Sequence, residues 1–221
     1  MSRQLLFLPG PVTVAQQVLD AGARPLINHR GESFAALLAR ITAALPPIFG
    51  TKREVVLLGS SGTGGLEAVL QNLFSPGERL LSCAVGSFGR RFAAMAKSYG
   101  CDVESLETPL GDAVDPDALR ARLEADSSRA IRGVLLTHNE TSTGVACDMA
   151  ALAPVLRAHG AVTLVDSVSG IGASEFRMDE WGYDAVVTAS QKGLGAPPGV
   201  AMVALSERAW SRTAASTVPR F

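Results

Sequence analysis

The sequence lacks an excess of charge of either sign. Its 20 lysine and arginine residues against 21 aspartate and glutamate residues give a formal net charge of −1, and no basic run is longer than two residues. Proteins that bind nucleic acids or anionic membranes usually carry clusters of basic residues, because such clusters neutralise phosphate groups. We therefore expect neither a nucleic-acid nor a membrane partner.

Long hydrophobic runs near the start and closely spaced cysteines are also missing. Pro9 and Pro11 interrupt the first apolar stretch before it reaches the length of a signal peptide or a membrane span, so we expect a cytoplasmic protein. Cys83, Cys101 and Cys147 form no C-x-x-C pair. We therefore expect reduced thiols in the core, with no disulfide and no metal site.

The sequence does contain an alternation of short β-branched runs with longer amphipathic stretches. This alternation is typical of a mostly parallel sheet covered by helices. We predict an α/β fold of three layers, in which a mostly parallel, seven-stranded sheet carries helices on both faces. The last two strands lie too close in sequence for a helical connection, so at least one of them should run antiparallel. The predicted strands begin at Glu54, Arg79, Cys101, Ile131, Ala161, Asp184 and Val200.

Four segments between these strands show apolar residues at helical spacing. Gly100 and Gly160 stand where glycines commonly end helices. The first fifty residues differ, because they predict an extended arm followed by two helices, the second capped by Ser33. We therefore divide the chain into an N-terminal arm with helices at 1–50 and a large domain at 51–221. The four predicted helices lie at 65–74, 90–100, 115–126 and 149–160.

Two strand ends carry groups suited to a charged ligand. The segment GSSGTGG follows the first predicted strand and opens a helix, and free backbone N–H groups in such a turn bind anions. It has neither the lysine of a P-loop nor the spacing of a dinucleotide-binding turn, so we expect an anion other than ATP or NAD. Asp166 ends the strand AVTLVD at the sheet edge where ligands of α/β folds bind. A tight turn and a loop-capping carboxylate are the structural alternatives.

Lys192 follows the strand DAVVTAS and precedes the loop GLGAPPG. Most lysines are solvated, but the apolar flanks favour partial burial here, which lowers the pKa of an amine and frees its lone pair for Schiff-base chemistry. An amine for an aldehyde, a carboxylate for a pyridinium nitrogen and an anion site for a phosphate are what pyridoxal 5'-phosphate requires. The three motifs together predict this cofactor.

With these motifs the sequence resembles the class V aminotransferases, which are fold type I pyridoxal-phosphate enzymes, and especially their alanine–glyoxylate and serine–pyruvate group. The resemblance runs through FLPGPV, GSSGTGGLEA, GSFGRR, THNETSTGV and the segment from VDSVSG to QKGLGAPPG, which is nearly the whole chain. It implies that Lys192 forms the Schiff base and that Asp166 pairs with the ring nitrogen.

The resemblance also implies further cofactor contacts. Ser61, Gly62, Thr63 and Gln191 would hold the phosphate, although some relatives have a histidine in place of Thr63. The other implied contacts are Phe88 and Val168 on opposite faces of the ring and Thr141 near its oxygen substituent.

The resemblance implies a transaminase that moves an amino group from alanine or serine to glyoxylate or pyruvate, in a homodimer whose subunits share each site. It also implies a smaller C-terminal domain that carries the arginine for the substrate carboxylate, and we expect the sequence to end before that domain. Arg30 could reach a site across the dimer, although a solvated arginine is the simpler interpretation.

Two other possibilities stay open. One is another reaction on this fold, such as that of a lyase or a desulfurase, although a desulfurase needs a reactive cysteine beyond the lysine and none follows Cys147. The other is a truncated fragment that binds the cofactor without turning over substrate.

Overall fold

The structure, a computed structural model, describes residues 5–219. Most of its strands lie in one central sheet. Numbered along the chain, the strands are β1 (Val55–Leu58), β2 (Arg79–Ala84), β3 (Asp102–Glu107), β4 (Ile131–Thr137), β5 (Asn139–Glu140), β6 (Val145–Ala146), β7 (Val162–Asp166), β8 (Ala185–Ala189) and β9 (Ala201–Leu205).

The central sheet has the strand order β1-β9-β8-β7-β4-β2-β3. Its five strands from β3 to β8 pair in parallel, whereas β9 is antiparallel to both of its neighbours, β8 and β1. The predicted seven-stranded, mostly parallel sheet and its antiparallel late strand are therefore confirmed. Because β1 and β8 are both antiparallel to β9, β1 points the same way as the parallel strands. The carboxyl ends of β1, β4, β7 and β8 consequently meet at one edge.

Helices cover both faces of the sheet. Leu80 and Leu81 are consecutive in β2, yet they belong to two separate cores, and the same alternation holds for Leu164 and Val165 in β7. Successive strand residues point to opposite faces, so both sides of the sheet are packed against helices, as the three-layer prediction requires. The helices are α1 (Gln16–Gly22), α2 (Glu32–Phe49), α3 (Gly62–Leu73), α4 (Ser87–Ser98), α5 (Pro116–Glu124), α6 (Met149–His159), α7 (Met178–Trp181) and α8 (Glu207–Arg212).

The helix boundaries agree with the prediction at some ends and differ at others. Gly160 ends α6 in the left-handed conformation at φ +83°, as predicted. Ser33 does not cap α2, because that helix starts one residue earlier, at Glu32 after Gly31, and has no side-chain cap. Helices α3 and α4 each begin three residues before the predicted start.

The N-terminal region is packed less deeply than the remainder. Helix α1 has no buried residue, and α2 sends only Leu45 and Phe49 into the core. The exposed apolar side chains of this region include Phe7, which is 92 % exposed, and Leu26, which is fully exposed. The N-terminal region therefore leaves a large apolar surface exposed in the single chain.

Candidate functional site

One cavity, of about 210 Å³, lies at the carboxyl edge where β1, β7 and β8 end. All the residues that the motifs and the family resemblance assign to the cofactor contribute to its wall. They are Ser61, Gly62, Thr63, Phe88, Thr141, Asp166, Val168, Gln191 and Lys192. The fold thus brings together segments that are as far as 131 positions apart in the sequence, from Ser61 to Lys192. Arg30, by contrast, does not line the cavity of its own chain.

The turn between β1 and α3 offers backbone donors to the cavity. The Ser61 side chain accepts a hydrogen bond from the N–H of Gly64 at 3.2 Å, and the Ser61 carbonyl accepts one from Gly65 at 3.0 Å. Within residues 5–219, the N–H groups of Gly62 and Thr63 have no acceptor. Two free donors at the start of a helix form a cradle for an anion.

Gly62 is required for this turn to fit. A Cβ atom at position 62 would lie 2.7 Å from Cγ2 of Val168 and 3.2 Å from Cβ of Ala189. Glycine therefore lets the turn pack directly against the side chain of Val168, which also lines the cavity.

Asp166 ends β7 and is only 6 % exposed. Its Oδ1 atom accepts a hydrogen bond from the N–H of Val168 at 3.0 Å, and no residue of the described part donates one to Oδ2. Burial raises the pKa of Asp166 from 3.8 to about 6, and the nearby charge of Glu140 acts in the same direction. The Val168 hydrogen bond and the charge of Lys192 oppose this increase. A cationic group or an N–H donor of a ligand that bound Oδ2 would stabilise the ionised carboxylate.

Lys192 is half-buried in the loop after β8. The loop is fastened at several points: the N–H of Gly195 donates to the Lys192 carbonyl at 2.9 Å, and the Ser190 hydroxyl donates to the Pro197 carbonyl at 2.6 Å. The N–H of Ala196 also bonds the Ser190 carbonyl at 2.9 Å. The loop is therefore held by hydrogen bonds of Ser190 as well as by its prolines.

Phe88 is positioned by a buried carboxylate that the sequence analysis did not assign. Helix α4 has no cap of its own, because it follows Gly86. The carboxylate of Glu140, which is fully buried, instead accepts the N–H groups of Phe88 and Gly89 at 3.0 Å each. The Glu140 carboxylate also accepts the Ser142 hydroxyl at 2.7 Å, and Ser142 in turn accepts the N–H of Ser87 at 3.0 Å. The motif THNETSTGV thus caps the helix that carries Phe88.

Hydrogen bonding decides the charge state of Glu140. Burial alone would raise the pKa of Glu140, but hydrogen bonds from Ser142, Gly89 and Phe88 outweigh burial and lower it. The only signal in the sequence was a cluster of polar residues at a strand end, which does not say which residue faces the ligand.

A short polar network shapes the wall beside Thr141. The Ser169 hydroxyl donates to the Asn139 carbonyl at 2.8 Å and accepts from Asn139 Nδ2 at 2.9 Å. The Thr141 and Ser169 hydroxyls are 2.9 Å apart. Arg91 also lines the cavity, and its guanidinium has no carboxylate partner within 4.0 Å among residues 5–219. Asn139 belongs to the polar group that follows β4 in the sequence, whereas Arg91 and Ser169 are further wall residues that the sequence did not indicate.

A larger hollow, of about 510 Å³, lies between α5 and α6, away from these residues. Several of its polar groups are engaged with one another, although Nδ1 of His159 has no partner among the described residues. Nε2 of His159 is 3.1 Å from Asp126, whose carboxylate also accepts the N–H of Ile131 at 2.8 Å, and Arg129 bonds the carbonyl of His159. This hollow is larger than the cavity at the strand ends, but the amine of Lys192, the carboxylate of Asp166 and the free N–H groups after Ser61 all line the smaller cavity.

Comparison with known proteins agrees with this site. The sequence matches the family described as Aminotransferase class-V over residues 15–216. It is 40 % identical to an L-aspartate–glyoxylate aminotransferase of Paracoccus denitrificans over 99 % of this chain and 56 % of that protein. It is 37 % identical to a protein named soluble hydrogenase, small subunit, from a Synechococcus species, over 99 % of this chain and 57 % of that protein.

The solved structures point the same way. The chain superposes on an alanine–glyoxylate aminotransferase of a Nostoc species with a TM-score of 0.91 and 32 % identity, over 97 % of this chain and 56 % of that one. The chain spans little more than half the length of the relatives it matches. The match to the family nonetheless covers most of the sequence and includes every residue of the cavity. The chain therefore belongs to the class V aminotransferase family.

Proposed function

We propose that this chain is the cofactor-binding part of a pyridoxal-phosphate-dependent transaminase. One observation carries the proposal: the amine of Lys192, the carboxylate of Asp166 and the free N–H groups after Ser61 line a single cavity. These three groups match the aldehyde, the pyridine nitrogen and the phosphate of the cofactor in chemical type. Two of the relatives described above are named as aminotransferases that use glyoxylate, which supports the same reaction.

The other cavity residues are of types that suit the remaining parts of the cofactor. The cradle at Gly62 and Thr63 would bind the phosphate through N–H groups that lack other acceptors, with Gln191 beside it. Phe88 and Val168 would contact the ring, and Thr141 would approach its oxygen substituent. When bound, pyridoxal phosphate supplies an electron-accepting ring that stabilises the carbanion of an amino acid after loss of its Cα proton.

The protein groups then have distinct tasks. Asp166 would hold the proton on the ring nitrogen, and its free Oδ2 atom is the acceptor that this task needs. The Nζ atom of Lys192, when it is not attached to the cofactor, would take the Cα proton of the amino acid and deliver it to the cofactor. Both groups must stay away from bulk water to work efficiently, and Asp166 is almost fully buried.

We propose a small amino acid, alanine or serine, as the amino donor and glyoxylate or pyruvate as the acceptor. The name of the Paracoccus relative adds aspartate to the donors that should be assayed. Arg91 is a cavity cation for which residues 5–219 offer no carboxylate partner, whereas the side chain of Lys192 would be committed to the cofactor.

We further propose that a second copy of this chain covers the N-terminal apolar surface. Along α2, Leu37, Leu38 and Ile41 are each about 40 % exposed. This helix is long and apolar enough, by length and composition alone, to cross a membrane, and 11 % of it is buried within the chain. It nevertheless contains Glu32 and Arg40, and an exposed apolar face rimmed by charges is typical of a protein interface.

Sedimentation analysis tests the association. We expect a dimer at micromolar concentration and a monomer for the double variant Leu37→Glu, Ile41→Glu, while Leu110→Glu, at an exposed position outside this region, leaves the dimer intact. A monomeric unaltered chain would refute the proposal. Flotation of the chain with lipid vesicles would instead identify α2 as a membrane-binding helix.

The cofactor proposal is tested by adding pyridoxal phosphate to the purified chain and reducing the complex with borohydride. The chain has three lysines, Lys52, Lys97 and Lys192, so peptide mass mapping can locate the attachment. We expect a visible absorbance band and modification at Lys192, both lost in Lys192→Ala and both kept in the control Lys97→Ala. Equal labelling of the three lysines would contradict the site.

Turnover needs its own assay. Transfer of the amino group from alanine, serine or aspartate to glyoxylate or pyruvate should be measured on the 221-residue chain and on a version extended by any residues that its gene encodes beyond Phe221. Keto-acid formation that requires an acceptor supports a transaminase. Breakdown of the amino acid without an acceptor would indicate a lyase instead.

A further inference from the structure

The N-terminal arm reaches the loop that carries Lys192. The N–H of Val12 donates a hydrogen bond to the carbonyl of Gln191 at 3.0 Å. The arm is itself closed by a hydrogen bond of 2.7 Å from the N–H of Leu6 to the hydroxyl of Thr13. The segment between these residues is therefore fastened directly beside the cavity, although it lies some 180 residues away from Lys192 in the sequence.

Within this segment, Gly10 lies against the side chain of Lys192. A Cβ atom at position 10 would be 2.2 Å from Cδ, 2.7 Å from Cε and 3.1 Å from Nζ of Lys192. Carbon atoms that are not bonded to each other stay well over 3 Å apart. A methyl group at position 10 would therefore have to displace the lysine side chain along the part that ends in the amine.

The neighbours of Gly10 distinguish it from a glycine that is needed for folding. At Gly65, a Cβ atom would approach Val187 at 2.8 Å and Ala201 at 3.0 Å, which are short side chains fixed in the sheet. At Gly10 the three nearest atoms all belong to one long, flexible side chain, which can move without disturbing the core. Beyond the backbone strain that its φ of +158° adds, a substitution at position 10 should therefore act on where the amine lies rather than on the packing of the core.

We propose that Gly10 is a positioning residue for Lys192. The arm forms a wall beside the lysine, and a glycine in that wall leaves Nζ the space it needs to reach the aldehyde carbon and to withdraw from it. The inference rests on the proposed function, because it assumes that Lys192 is the amine that attaches the cofactor. Attachment joins Nζ to the aldehyde carbon and releases the aldehyde oxygen as water.

The rate of attachment tests this role. Gly10→Ala and the unaltered chain are mixed with pyridoxal phosphate, quenched with borohydride at increasing times, and the labelled Lys192 peptide is quantified. We expect attachment to be slowed about tenfold to a hundredfold, because misplacing a reacting group by about 1 Å has effects of this size. The control is Gly22→Ala in α1, where a Cβ atom meets nothing within 4 Å and where we expect an unchanged rate.

A second measurement separates an effect on the lysine from an effect on the fold or on the cofactor pocket. Non-covalent affinity for pyridoxal phosphate is measured by equilibrium dialysis in Lys192→Ala and in the double variant Gly10→Ala, Lys192→Ala. We expect equal affinities, because the double variant lacks the side chain with which the new methyl group would clash. Thermal unfolding of Gly10→Ala should also match that of the unaltered chain within a few degrees.

The outcomes are distinct. Attachment in Gly10→Ala at the unaltered rate would overturn the positioning role while leaving the proposed function intact. Weaker affinity in the double variant than in Lys192→Ala would overturn it too, because position 10 would then act on the pocket or the fold. If the unaltered chain itself does not attach the cofactor at Lys192, the proposed function fails and the positioning role fails with it.

Discussion

Replacing Asp166 by asparagine should stabilise the cofactor-free protein at neutral pH and have less effect in acid. Burial raises the pKa of this carboxyl from 3.8 to about 6 in the folded protein. A group whose folded-state pKa is raised in this way favours folding when it is protonated and opposes it when it is ionised. The difference of about 2 in pKa corresponds to about 3 kcal/mol, which is the cost of the ionised carboxylate above pH 6. Below pH 3.8 the cost disappears.

The measurement is urea unfolding of the cofactor-free chain and of Asp166→Asn at pH 4.5 and pH 7.5. The free energy of unfolding of the variant, relative to that of the unaltered chain, should increase by about 2 kcal/mol between these two values. Titrating groups that do not interact with Asp166 contribute equally to both proteins and cancel in the difference. A difference that stays flat with pH, or that falls, would refute the view that Asp166 is an ionised group without a sufficient partner.

Three further substitutions are tested by urea unfolding, one at Glu140 beside the cavity and two, at Gly160 and Arg208, at the opposite edge of the sheet. Gly160→Ala should lower the free energy of unfolding by about 1 to 2 kcal/mol, because φ is +83° at this position. A Cβ atom there would meet nothing within 4 Å, so the cost comes from the backbone alone, and unchanged stability would contradict this explanation. Glu140→Gln should lower the free energy of unfolding by about 1 to 3 kcal/mol. The side-chain NH₂ of glutamine cannot accept the hydrogen bonds that donors such as the N–H of Ser142 give to the carboxylate, and unchanged stability would contradict the capping role. Arg208→Met should cost about 1 to 3 kcal/mol because it removes a partner of the buried Asp184, and a loss under about 0.5 kcal/mol would show that the remaining donors suffice.

The sheet was predictable from the sequence because its strands are short, apolar and separated by turns. The central strands β7 and β8 are buried along their whole length, as their apolar sequences indicate. The antiparallel direction of β9 follows from the short connection after β8. The hairpin of β5 and β6 was not predicted, because two residues on each strand are too few to show a period. The predicted cap at Ser33 was wrong, because a residue type suited to capping does not show where the first turn of α2 begins.

The residues of the cavity were predictable where each follows a strand and carries an unusual group, as Asp166 and Lys192 do. The residues that position these side chains were not predictable. Glu140 contacts Phe88 across 52 positions of sequence, and Gly10 contacts Lys192 across 182. No local pattern reports such pairs, because they depend on which strand ends become neighbours once the sheet has formed.

Glu140 and Asp166 are two buried carboxylates that interact electrostatically, and their hydrogen bonds separate their roles. Glu140 accepts bonds from the main chain of three residues and from one hydroxyl, so the protein itself satisfies its charge and its pKa falls. From the part of the chain that the structure describes, the Asp166 carboxylate accepts one bond, on Oδ1, and its pKa rises. The arrangement around Glu140 suits a fixed anion that holds a helix in place, whereas the arrangement around Asp166 leaves an acceptor whose charge a ligand can neutralise. Of the two, only Asp166 can therefore gain substantially from a protonated ring nitrogen.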